Sequence, residues 1–135
     1  MATASTIYTG ELRTSSTHLK SGNELVTDAP TDNHGKGETF SPTDLVATAL
    51  GACMLTVMGI WARTADIDLT DTKIETTKVM GNNPRRISEV HINFQMPERL
   101  QLTNEQQAKL KQVALSCPVA KSLSADLKQV VTFNW

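Results

Sequence analysis

A chain of 135 residues has close to the commonest size for one domain, and it can bury roughly two-thirds of its unfolded surface without staples. A formal net charge of -1 and an aromatic content of 4% exclude a basic field for nucleic acid or anionic lipid, and a base-stacking platform. Two cysteines are too few for a disulfide scaffold, and residues 1–7 carry no signal-like apolar run. The expectation is one cytoplasmic domain over residues 1–135, with reduced thiols and no nucleic-acid or membrane partner. In that setting a cysteine pair is more often catalytic or redox-active than structural.

In chain order, three β-like runs come first, at 6–13, 15–20 and 24–27, with Ser21-Gly22-Asn23 as the turn between the last two. A polar, turn-rich loop follows, with Pro30, Asn33, Gly35 and Gly37. Its Gly35-Lys36-Gly37 is too short for a phosphate loop. Ser41-Pro42-Thr43-Asp44 then predicts a helix start. Ser41 suits the N-cap, Pro42 the first helical position, and Asp44 can reach back to the Ser41 amide.

No residue from 45 to 62 is charged. That length raises a membrane-spanning reading. Thr48, Thr56, Gly51, Gly59 and four alanines make the stretch weakly apolar, and β-patterned segments flank it, so a central buried helix is predicted. Its small residues would let a sheet or a partner helix come close. A hairpin is predicted next. Its first strand spans about 67–80, with a change of parity between Leu69 and Ile74 that implies a bulge. Gly81-Asn82-Asn83-Pro84 makes the turn. The second strand sets Val90, Ile92, Phe94 and Met96 on one face and Glu89, His91, Asn93 and Gln95 on the other.

Thr103 and Gln106 form a capping box for another helix, on which Leu110, Val113, Ala114 and Cys117 make one apolar stripe. Pro118 ends it and opens a further helix to about residue 127. Residues 130–135 read as a closing strand. The whole is an α+β fold: an N-terminal β-meander, a long central buried helix, a β-hairpin, two further helices and a last strand.

Chemistry, on this reading, runs through Cys53 and Cys117. Cys53 lies mid-helix, where a free cysteine is commonly a small core residue, and no helix end is at hand to favour a thiolate. Reactivity there needs a cation from elsewhere. Cys117 directly precedes Pro118, at the N-cap of the next helix, where the helix end favours an anion. Simple packing explains Cys117 as readily. Two inward-facing thiols on separate helices could meet, and an attacking and a resolving thiol need only that proximity.

Ser41-Pro42-Thr43-Asp44-Leu45 followed by Ala49-Leu50-Gly51-Ala52-Cys53 resembles the first-cysteine helix of the OsmC/Ohr family, the osmotically inducible and organic hydroperoxide resistance proteins. Cys117-Pro118-Val119-Ala120-Lys121-Ser122-Leu123 resembles the family's second-cysteine motif. The stretch from Ser21 to Pro30 is similar to its N-terminal hairpin. The resemblance covers nearly the whole chain. It implies an OsmC-like fold, an intertwined homodimer with active sites at the subunit interface, and reduction of organic hydroperoxides. Cys53 would attack, Cys117 would resolve, and a dithiol reductant would recycle the pair, with no metal or organic cofactor.

The resemblance also implies an arginine in the N-terminal β region and a glutamate that orients it. Arg13 is the only arginine before the helix and is the candidate. The family glutamate directly follows the motif proline, where this chain has Thr43. Asp44 is turned by about 100° from that position, and its capping role is the simpler reading. Glu38 and Asp44 are the possible supporting acids, and His18 shares the N-terminal β region with Arg13. His34 and His91 fit no metal-site spacing and read as solvated. The alternative is a non-enzymatic OsmC-like dimer that binds a small ligand or senses redox state.

Overall fold

The computed structural model describes residues 1–135, which fall into two compact units, Met1–Val46 and Ala47–Trp135. In the first unit, β1 (Ala4–Gly10), β2 (Arg13–His18) and β3 (Glu24–Asp28) form an antiparallel sheet in that order. The first predicted run does not extend to residue 13. Gly10, Glu11 and Leu12 all take positive φ, at 94°, 55° and 61°, and this turn ends β1. Arg13 therefore opens β2 instead of closing β1, and it pairs in register with Asp28 of β3.

The second turn falls at Ser21-Gly22-Asn23 as expected. The His18 amide donates to the Asn23 carbonyl at 2.8 Å and the Gly22 amide to the His18 carbonyl at 2.7 Å. After β3 the chain folds back on itself. The Asp28 amide donates to the Phe40 carbonyl at 3.1 Å and the Gly37 amide to the Ala29 carbonyl at 3.2 Å. A Cβ at Gly35 would lie 1.7 Å from the Ala29 carbonyl oxygen, so no other residue fits this crossing.

Helix α1 (Pro42–Thr64) starts with the predicted capping box. The Ser41 amide donates to Asp44 Oδ2 at 3.0 Å and the Asp44 amide to Ser41 Oγ at 3.1 Å. In the second unit α1 buries Ala47, Leu50, Gly51, Met54, Met58 and Ala62. It lies beside a sheet of β4 (Lys73–Gly81), β5 (Arg86–Gln95) and β6 (Lys128–Asn134), with β5 antiparallel to β4 and parallel to β6. A Cβ at Gly51 would stand 2.4 Å from Ile74 Cδ1, so the missing side chain is what lets the helix approach β4. Val90, Ile92, Phe94 and Met96 are all buried, the face predicted for β5. Phe94 and Phe133, paired across β5 and β6, stack with ring centroids 4.6 Å apart.

Two predicted boundaries move. β4 begins at Lys73, because 67–72 form a turn. In it Asp68 Oδ1 accepts the Thr70 amide at 3.0 Å and Arg99 donates to the Asp68 and Thr70 carbonyls. The bulge lies between Val79 and Met80 rather than near Leu69. Helix α2 (Asn104–Leu115) has the Thr103–Gln106 capping box as expected. Helix α3 (Pro118–Ser122) stops five residues before the expected end. Leu123 is extended, and the next turn is closed by the Leu127 amide on the Ser124 carbonyl at 3.0 Å.

Candidate active site

The two thiols come together in the second unit. α1 carries Cys53 at its middle, one turn from buried Leu50 and one residue before Met54, and leaves it half-buried. α2 ends just before Cys117, which caps α3 with extended backbone (φ -63°, ψ 151°) and is fully buried. Pro118 makes this geometry local: it cannot continue α2 and is preset to begin a new helix. Cys117 Sγ accepts the Ala120 amide at 3.3 Å, and Cys53 is its neighbouring thiol. Both cysteines are free thiols.

At Cys117 the helix end favours an anion and burial opposes it. Burial pushes the Cys117 thiol above its ordinary value, and contact with Cys53 pushes it the same way. The amides of Ala120 and Val119 oppose the shift but do not reverse it. Desolvation of an anion outweighs two N–H dipoles. Cys117 is thus a protonated partner beside Cys53, while Cys53 is the thiol with a path to solvent.

Arg13 forms a second centre, in the first unit. Its Nε donates to Asp28 Oδ1 at 2.6 Å and its Nη2 to Asp28 Oδ2 at 2.8 Å, a side-on fork. Nη2 also donates to Glu38 Oε2 at 3.2 Å. Asp28 is 1% exposed, whereas Glu38 is 63% exposed. The Glu38 amide donates to Asp28 Oδ2 at 3.1 Å, so one buried carboxylate binds both the guanidinium and the loop that carries Glu38. Arg13 holds the Asp28 carboxyl below the usual carboxylate range, and Asp28, then Glu38, raise the guanidinium in return.

The remaining candidates separate cleanly. Glu38 does reach Arg13. Asp44 caps α1 on the Ser41 amide. His18 sits at the far end of β2, five positions from Arg13 or about 17 Å along an extended strand. There its Nδ1 shares a 2.6 Å hydrogen bond with Ser21 Oγ on the surface. Asp28 is absent from the sequence-based candidates. The available signal was register: a hairpin turning at Ser21-Gly22-Asn23 sets residue 13 opposite residue 28.

The family model described as OsmC-like protein matches residues 35–131. The chain is 51% identical to a structure from Psychrobacter arcticus 273-4, a candidate osmotic stress induced and detoxification response protein. The likeness covers 99% of this chain and 96% of that one, with a TM-score of 0.95. The fold is also that of an organic hydroperoxide resistance protein OsmC from Legionella pneumophila (16% identity, 100% and 98% covered, TM-score 0.77). It is shared as well by the organic hydroperoxide resistance protein OhrB of Bacillus subtilis (18% identity, 98% and 98% covered, TM-score 0.71). No curated protein sequence matches the chain.

Proposed function

The chain belongs to the OsmC-like protein family, and on that premise we propose that it reduces organic hydroperoxides through its two cysteines, in defence against oxidative stress. The observation that carries this reading is the pair of neighbouring free thiols, Cys53 half-buried and Cys117 fully buried. The names of the solved hydroperoxide resistance proteins with this fold support it.

In the proposed reaction the Cys53 thiolate attacks one peroxide oxygen and the O–O bond breaks. The alcohol leaves after taking up a proton, and Cys53 holds a sulfenic acid. Cys117 Sγ then attacks the Cys53 sulfur, an S–S bond forms and water leaves. A dithiol reductant returns both thiols. Arg13 is assigned to stabilise the thiolate and the charge on the departing oxygen, because guanidinium keeps its charge when partly buried. The reaction is cytoplasmic in this reading and needs no metal or organic cofactor.

The proposal includes a homodimer with Cys53 at its interface. Along α1, Val46, Ala49, Thr56 and Ile60 are exposed, and with Cys53 they recur at spacings of three and four residues. Ile60 is 65% exposed, unusual for a helix so apolar, and a second copy of the chain would cover the stripe.

A second reading rests on Thr43, which stands where the family's peroxidases carry a glutamate: a dimer that binds a small ligand or senses redox state without turnover. Cysteine variants decide between them. Cys53→Ser abolishes hydroperoxide consumption under the proposed mechanism, and Cys117→Ser permits at most a single or slow turnover. Equal consumption by Cys53→Ser would place the chemistry elsewhere.

A further inference from the structure

We propose that Asp28 is the positioning residue for Arg13, supplying the orienting carboxylate that Thr43 cannot. This rests on the role given to Arg13 above. Asp28 accepts both N–H groups of the side-on face of the guanidinium, at 2.6 and 2.8 Å, and a loop amide at 3.1 Å. Three bonds and near-complete burial fix the carboxylate, and a planar guanidinium bound at two points has one orientation. Glu38 adds one longer bond from an exposed side chain, which solvent weakens. Neither acid bonds Nη1. Asp28 thereby decides where the remaining donors of Arg13 point, and an anion met by Arg13 meets that end. Lysine at position 13 would keep the charge and lose the fork.

The test follows alkylation of Cys53 by iodoacetamide across pH in a Cys117→Ser background, with thermal melting of every variant. Arg13→Ala moves the profile to higher pH and slows alkylation at neutral pH by about tenfold or more. Asp28→Asn and Arg13→Lys each move it in the same direction, Asp28→Glu restores part of the loss, and the Asp28→Asn/Arg13→Ala double variant coincides with Arg13→Ala. Arg13→Lys keeps the test open if Asp28→Asn fails to fold.

The proposal is overturned if Asp28→Asn and Arg13→Lys leave the profile in place while Arg13→Ala moves it. It is overturned equally if Asp28→Asn adds fully to Arg13→Ala, or if Arg13→Ala itself has no effect. A merely structural Asp28 would lower the melting temperature and leave the profile unmoved. The readout uses no hydroperoxide, so failure to consume hydroperoxide would sink the peroxidase reading alone.

Discussion

At the scale of single residues, two shifted groups give opposite pH dependences. Arg13 lowers the Asp28 carboxyl, so the folded state binds that proton less readily than the unfolded chain. Its stabilising effect is present above the unfolded carboxylate value of about 3.9 and is lost as pH falls through the lower folded value. Burial raises the Cys117 thiol. Its stabilising effect is complete below the unfolded value of about 8.5 and is lost as pH rises toward the folded one. Urea unfolding in reductant should therefore show Cys117→Ser flattening the alkaline loss of stability. Asp28→Asn should flatten part of the acid loss. Arg13, Glu38 and both cysteines were legible in the sequence as chemical types near recognisable motifs. Asp28 was not, because an acid becomes an anchor only through strand register and burial. The sign at Cys117 was illegible for a related reason: the helix end is local, whereas desolvation depends on everything packed around the thiol.

Secondary-structure elements were readable where their signals are local. Ser41–Asp44 and Thr103–Gln106 close capping boxes that four residues suffice to specify. Thr103→Ala should cost about 1 kcal/mol in chemical denaturation. The alternating face of β5 was readable because burial on one side of a sheet imposes a period of two. The start of β4 was not, since it depends on Arg99, distant in sequence, donating to the Asp68 and Thr70 carbonyls; nor was the end of α3, where Leu123 turns extended and a backbone turn from Ser124 to Leu127 follows. Gly51 belongs to this scale. The sequence marked it as one small residue among several, and the structure sets it against Ile74, Ile92 and Thr76. Gly51→Val should destabilise by about 1–3 kcal/mol through overpacking, measured by the urea midpoint.

For the whole molecule, the proposed dimer explains the apolar surface that a single chain leaves open. Ile7, Tyr8 and Leu25 of the N-terminal sheet are 66%, 62% and 44% exposed, and Ile60 of α1 is 65% exposed. A three-stranded sheet so little buried needs a covering surface. Light scattering at micromolar concentration should give twice the chain mass of 14.7 kDa, and Ile60→Glu should shift it toward one. A wild-type monomer would count against the interface. The most direct measurement concerns the thiols themselves. Reduced protein is titrated with an organic hydroperoxide in the absence of any reductant, and free thiols and remaining peroxide are counted together. One peroxide consumed per chain, with loss of both thiols and recovery of both on adding a dithiol, is the expected result. Thiols that stay intact in excess hydroperoxide would contradict the proposed function.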